Sequence, residues 1–366
     1  MTKNGKKRIL IAPLNWGIGH ATRMIPVIRE LEKQGAHTII ATDGLPAMLL
    51  KEHFPNSEHI TLKSFPVQYS GEKKYFTAKI LSQLPGILKT VEKEHKITKK
   101  IVEKHKIDAI ISDNRYGVYS KKVPSVFITH QLHIKMPEKL QYFFKPVNKA
   151  VHLVLSRFDE IWVPDFEGKD NLSGELSHPP LKNQTVKYMG PLSRFDTKPD
   201  VSTENKKHFD IFASLSGPEP QRTLLEKALI TQLAASRYTA VILQGKPGAV
   251  KPPSPAPNIT LLPHVNDNDY LSLINNSSMM ISRSGYSTIM DLYILGKKAV
   301  FIPTPGQTEQ EYLAKRMKEK NICNSFSQDN FIIEQAIQEE KFYTGFPGTD
   351  FRPSCPDIIK DFLSKI

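Results

Sequence analysis

Twice along this chain, short apolar runs of strand length alternate with stretches of helical periodicity, and this alternation restricts the fold more than any other feature. The first series runs from Arg8–Pro13 through a glycine-bearing loop to the helical pattern Met24–Gln34, which stops at Gly35. Thr38–Thr42, Ala109–Ser112, Ser125–Thr129 and Glu160–Val163 follow as further apolar runs, each closed by a polar or proline residue. Runs of this kind, apolar throughout and separated by helices, belong to a parallel sheet buried on both faces. The second series begins with the strand Asp210–Ser214 and the helix Gln221–Ser236. It continues with strands Tyr238–Gln244 and Asn258–Leu262, helix Asp267–Asn275, strand Ser278–Ser282, helix Ser287–Leu295, strand Ala299–Ile302 and helix Thr308–Lys320. Gly245–Pro257, rich in proline, reads as a surface loop. The expected architecture is α/β, with two Rossmann-like doubly wound domains facing a cleft and binding ligands at the carboxyl ends of their strands.

The length supports the division. At 366 residues the chain exceeds the size at which one hydrophobic core stops growing. The charged, aperiodic stretch Pro191–Lys207 reads as the linker between domains 1–190 and 191–354. Hydrophobic residues at 39% and charged residues at 24% exclude a disordered chain. No run reaches the ~20 apolar residues needed to cross a bilayer. The short run Ile9–Leu14 leads into a Gly-rich loop with no cleavage site, so a core strand is expected there and a signal peptide is not. Cys323 and Cys355 form no metal spacing or disulfide framework, which suits a reducing cytoplasm. The net charge of +13 favours an anionic partner. Lysines concentrate in 73–106, read as two helical pieces, Phe76–Leu88 and Val91–Lys106, with an apolar stripe. No aromatic residues interleave with these lysines as base stacking requires, so nucleic acid is not expected, and a solvated lysine-rich surface and peripheral contact with an anionic membrane both stay open.

Three loops of the first series and three of the second carry candidate chemistry. After the first strand, Gly17 and Gly19 allow a sharp turn into a helix whose N-terminus favours an anionic group, and His20 at its start is placed to accept a proton. A dinucleotide fingerprint would need Gly or Ala where Thr22 stands, with Asp43 on the ribose. After the third strand, Asp113 and Arg115 offer a polar cluster and a charge clamp for an acceptor hydroxyl or phosphate, although an Asx-type turn accounts for the same residues. Thr129-His130-Gln131-Leu132-His133 holds the analogous place one strand later.

In the second series, Ser216 and Gly217, followed by Arg222, make a strand-to-helix loop of the phosphate-cradle kind. Met279–Leu292 is the most specific segment. A strand ends in Arg283, Ser284 and Gly285, and a helix opens near Ser287 and Thr288, whose hydroxyls and amides suit a diphosphate. Asp291, one turn on, suits ribose hydroxyls. After the next strand, Gln307, Glu309 and Gln310 offer the paired donors and acceptors that sugar hydroxyls need, while Thr308 and Glu311 have a capping-box spacing.

In order and spacing, three segments resemble the family 28 glycosyltransferases, a group that includes the enzyme adding N-acetylglucosamine to lipid-linked muramyl peptides. They are G-x-G-H after the first strand, R-S-G-x-x-T-x-x-D at Arg283–Asp291, and P-x-x-x-Q-x-E-Q-E-x-x-A at Pro303–Ala314. The resemblance implies the GT-B fold, with the acceptor held by the first domain, a UDP-sugar by the second, and the terminal segment Cys355–Ile366 crossing back to the first domain. It implies a base at His20 and a nucleotide site at Ser284, Gly285 and Thr288, with Asp291 where the family has a ribose-binding Glu. Gln310 is retained against the sugar, whereas Leu313 replaces an Asn. The reaction implied is inverting, metal-independent transfer of an N-acetylhexosamine or hexose to a hydroxyl of a lipid-linked or cell-envelope acceptor. The UDP-sugar is a co-substrate, and no cofactor or metal is expected, since no Asp-x-Asp motif is present. A UDP-sugar epimerase of the same fold and a non-catalytic nucleotide-sugar-binding subunit remain open.

Overall fold

The computed structural model describes residues 5–65, 73–136, 138–179, 184–195, 207–348 and 354–366. The chain divides into two compact units: Met1–Val67, Ile80–Arg194 and Phe351–Ile366 form one, Gln68–Lys79 and Phe195–Asp350 the other. Residues 196–206 of the expected linker lie outside the described residues.

The first unit is built on seven parallel strands: β1 (Arg8–Pro13), β2 (His37–Thr42), β3 (Glu58–Thr61), β4 (Ala109–Asp113), β5 (Ser125–Ile128), β6 (Glu160–Val163) and β7 (Thr185–Tyr188). They lie in the order β3-β2-β1-β4-β5-β6-β7, so strand order reverses between β1 and β4. There Leu10 is paired with both Ile39 and Ile110, and Pro13 lies beside Asp113. Successive side chains of a strand point to opposite faces. Leu10, Ala12, Ile39, Ala41 and Ile110 pack with Ile101 and Val102 on one face, while Ile9, Ile11, Ile40 and Ile111 alternate with them and are equally buried. Both faces are therefore covered, as the continuous apolar runs require. β3 and β7 escape sequence reading because, as edge strands, they are only partly buried and carry no apolar run.

The helices of this unit are α1 (Gly19–Lys33), α2 (Gly44–His53), α3 (Lys73–Lys104, which belongs to this unit from Ile80 onward) and α4 (Phe144–Leu155). α1 begins five residues before the expected Met24, which puts His20 inside its first turn. α3 is one helix of 32 residues where two pieces were expected, and it runs through Pro85. A proline removes a single helical hydrogen bond, and α3 continues through Pro85 and Gly86.

The second unit has five parallel strands: β8 (Phe209–Ser214), β9 (Ala240–Leu243), β10 (Ile259–Leu262), β11 (Ser277–Ser282) and β12 (Val300–Phe301). Their order is β10-β9-β8-β11-β12, reversing between β8 and β11. The connecting helices are α5 (Gln221–Ala234), α6 (Asp267–Asn275), α7 (Tyr286–Leu295), α8 (Thr308–Glu319) and α9 (Ile333–Glu340). Ile211, Ala213, Ile242, Ile281 and Val300 of the sheet pack with Leu225, Leu229 and Leu233 of α5 in one core.

The last helix, α10 (Cys355–Ser364), returns to the first unit. The Gln34 side chain donates to the carbonyl of Pro356 at 2.9 Å, Phe362 meets Trp162 edge-on, and Lys187 pairs with Asp361. Among the described residues, no helix is long and apolar enough to cross a membrane.

Candidate functional site

Both sheets place loops at the carboxyl ends of the strands beside the reversal of strand order, where α/β folds bind ligands. In the first unit these are the loops after β1, β4 and β5. His20 and Arg23 stand one helical turn apart on α1 and meet the Asp113 carboxylate at the end of β4. The Nδ1 atom of His20 lies 3.2 Å from Asp113 Oδ1, and Arg23 Nε donates to Asp113 Oδ2 at 2.9 Å. The NH2 group of Arg23 donates to Asp113 Oδ1 and, at 2.9 Å, to His20 Nδ1. Its NH1 group donates to Nδ1 of His130, in the loop after β5, at 2.9 Å.

Arg23 and Asp113 are buried, whereas 15% of the His20 side chain is exposed. Burial works to raise the Asp113 carboxyl, but Arg23 and then His20 outweigh it and hold the group at about 2. Asp113 is thus a fixed anion beneath the histidine. Burial is also the largest influence on His20 and lowers its pKa. Asp113 opposes that shift, and Arg23 and His130 add to it. The downward shift favours the neutral ring, which a proton acceptor requires.

Arg115, expected as a charge clamp, is fully buried and braces the interior instead. Its guanidinium holds Glu94 of α3 at 2.8 Å and the carbonyl of Leu62 at 2.9 Å, so its donors serve α3 and the sheet. Pairing with Glu94 offsets the cost of burying the Arg115 cation. Asp43 accepts from the amide and hydroxyl of Ser64 at 3.1 and 2.9 Å, which removes the carboxylate that a dinucleotide ribose would need. His133 stacks on His152 with ring centroids 5.2 Å apart.

In the second unit the loops after β8, β11 and β12 converge. α7 opens at Gly285 with φ −67° and ψ 143° and has no side-chain cap. A Cβ on Gly285 would meet nothing within 4 Å, so the space before the helix is open. Ser287, Thr288 and Asp291 are half-buried. The spacings Ser287 to Asp291 and Thr288 to Asp291, four and three residues, put them on one face of α7.

Ser284 and Arg283 lie beneath this surface. Ser284 donates to the carbonyl of Gln310 at 2.8 Å. Arg283 donates to the carbonyls of Ile302 (2.9 Å), Pro303 (3.1 Å) and Gln221 (2.8 Å), so it ties three loops together where a contact to phosphate was expected. Burial brings Arg283 down to about 10. Gln310 Oε1 accepts from the Thr304 amide at 2.8 Å and so shapes the loop after β12. The capping box expected of Thr308 and Glu311 does not form: Gln307 is the N-cap of α8 and its side chain makes no capping bond, while Glu311 accepts from the amide of Gly306. Glu309 is half-buried in the first turn of α8. Two buried polar atoms in this loop, Thr304 Oγ1 and Gln307 Oε1, have no hydrogen-bond partner. A Cβ on Gly217, in the loop after β8, would sit 3.6 Å from that Thr304 hydroxyl, while Ser216 is half-buried beside it. Arg222 is committed to Glu219 and Glu226.

Sequence reading passed over Arg23 and Thr304. The i, i+3 spacing of His20 and Arg23 signals their common face only once α1 is known to start at Gly19. Nothing in the local sequence marks Thr304, whose position depends on how three loops fold together.

Residues 248–341 match the family model described as the glycosyltransferase family 28 C-terminal domain. No curated protein matches the chain. Among solved structures, MurG of Acinetobacter baumannii superposes with a TM-score of 0.59 at 15% identity, over 99% of this chain and 100% of that one. The calicheamicin glycosyltransferase CalG4 gives 0.58 at 14% identity, over 99% of each chain. SnogD from Streptomyces nogalater gives 0.56 at 12% identity, over 99% of this chain and 100% of that one. The superpositions give the chain the GT-B fold, and within it residues 248–341 are similar to the family 28 C-terminal domain. The family match lies in the half that carries the α7 and α8 loops.

Proposed function

We propose that the chain transfers an N-acetylhexosamine or hexose from a UDP-sugar to an acceptor hydroxyl, with inversion and without a metal ion. The observation that carries this is the α7 face, where Ser287, Thr288 and Asp291 line one side of a helix whose start at Gly285 is open. The helix amides and hydroxyls suit a diphosphate, and Asp291 suits the ribose. The unpartnered atoms of Thr304 and Gln307 favour a polar ligand group at the neighbouring loop, where sugar hydroxyls would complete them. Ser216 and Gly217 close the same ring of loops.

In the step proposed, the acceptor oxygen bonds to the anomeric carbon as the bond from that carbon to the diphosphate oxygen breaks. The hydroxyl proton passes to His20 at the edge not engaged by Asp113 and Arg23, and UDP leaves with the bonding electrons, its charge met by α7. Gly17 and Gly19 let the loop before His20 turn clear of the acceptor. A screen of UDP, GDP and TDP by thermal shift tests the donor reading, since stabilisation follows ligand concentration over Kd; a preference for GDP or TDP refutes it. His20→Ala should abolish transfer with UDP binding intact, and parallel loss of both refutes the base assignment. Product formed without any acceptor would favour an epimerase.

For the acceptor we propose a lipid-linked or cell-envelope glycan reached at an anionic membrane surface. Tyr142, Phe143 and Leu153 are 73%, 47% and 68% exposed in and before α4, beside exposed Lys145 and Lys149, and α4 contains no acidic residue. Apolar side chains among cations fit a bilayer interface. Sedimentation with phosphatidylglycerol vesicles but not phosphatidylcholine vesicles is expected; equal partitioning to both refutes it.

A further inference from the structure

We propose that Arg23 is a positioning residue that sets the tautomer of His20, holding its proton on Nε2 in the resting protein. The inference rests on the reading of His20 as the group that meets the acceptor. A guanidinium has only donors. The 2.9 Å contact from Arg23 to His20 Nδ1 therefore requires a lone pair on that nitrogen, and the like contact to His130 requires the same of its Nδ1. A neutral ring that accepts at Nδ1 carries its hydrogen on Nε2.

The contacts of His20 with Asp113, at 3.2 and 3.3 Å, are longer. Both carboxylate oxygens already accept from Arg23. A ring protonated at Nδ1 donates to Asp113 but has no lone pair left there to accept from the NH2 group of Arg23. The two arrangements exclude each other, and the shorter contact and the satisfied carboxylate favour the Arg23-bound one. The groups facing His20 are Arg23 on its own helix, Asp113 at the end of β4 and His130 after β5, so the guanidinium balances the one carboxylate.

This bears on the reaction because a nitrogen that already carries hydrogen cannot take a proton. In the resting tautomer Nε2 donates, which suits binding an acceptor oxygen or a phosphate. The base-competent form, with hydrogen on Nδ1 toward Asp113, forms only when Arg23 releases the ring. Arg23 thereby restrains the base until a ligand shifts the equilibrium.

The test is a long-range nitrogen–proton spectrum of the full chain with labelled histidine, with His20 and His130 assigned by the loss of signal in His20→Asn and His130→Asn. The expected result is a non-protonated Nδ1 and a protonated Nε2 for both rings near pH 7. A protonated Nδ1 on His20 overturns the proposal and needs no variant other than those used for assignment. Arg23→Met should move the His20 hydrogen to Nδ1 and shift the acid limb of kcat/KM upward by ~1–3 pH units, because Asp113 then faces the ring unbalanced. An unchanged tautomer in a folded Arg23→Met protein also overturns it. Neither spectrum depends on turnover, so failure here leaves the transferase reading standing, and failure of UDP to bind leaves the tautomer result standing.

Discussion

Replacing Gly285 by alanine should leave the fold intact and weaken the binding of UDP. The backbone there, at φ −67° and ψ 143°, is open to any residue, and the new Cβ meets nothing within 4 Å. Two small effects on stability oppose each other. The unfolded chain loses freedom, a gain of ~0.4–1 kcal/mol, while alanine is a poorer N-cap than glycine by an amount of similar size. The net change is within ~0.5 kcal/mol, or about 2 °C in Tm for a protein of this size. The methyl group enters the space before α7, where phosphate oxygens would accept from the helix amides. Losing one hydrogen bond to a charged group costs ~1.5–3 kcal/mol, or ~10–100-fold in affinity. Thermal unfolding and titration calorimetry with UDP read the two quantities separately. Unchanged affinity at unchanged Tm would show that the diphosphate is not held at α7, and a fall in Tm beyond ~5 °C would show that the space is not open.

The buried Arg115–Glu94 pair and the Asp113 carboxylate support two further predictions. Glu94→Leu leaves the Arg115 guanidinium buried without its carboxylate and should destabilise by ~3–5 kcal/mol in urea unfolding; a loss under ~1 kcal/mol would mean that the pair does not brace α3. Asp113 falls from 3.8 unfolded to about 2 folded, a depressed value, so its contribution is complete above pH 3.8 and is lost as the pH drops toward 2. That lowering corresponds to something on the order of 2 kcal/mol. The wild-type protein should therefore lose more stability between pH 4 and 2 than Asp113→Asn does, and parallel curves would exclude this.

Much of the architecture was legible in the sequence because buried parallel strands must be apolar throughout and their helices must be periodic. Arg8–Pro13, Glu160–Val163 and Asp267–Asn275 have the same bounds in sequence and structure. Edge strands β3 and β7 were not legible, since half-exposed strands lack the apolar run. The loops that carry the candidate chemistry were also legible, because glycine and small polar residues after a strand leave few other conformations.

What each polar side chain does was decided by tertiary structure. Arg23, Arg115, Arg222 and Arg283 are alike as residues in strand-end loops and first helical turns. Packing gives Arg23 to the His20–Asp113 pair, Arg115 to Glu94, Arg222 to the carboxylates flanking it and Arg283 to backbone carbonyls. The sequence by itself determined that the chain would place charged and hydroxyl groups at the ends of two parallel sheets. Only the tertiary structure determined which of those groups are buried with a partner and which are left for a ligand, because burial makes an unpaired charge costly and depends on residues a hundred positions away.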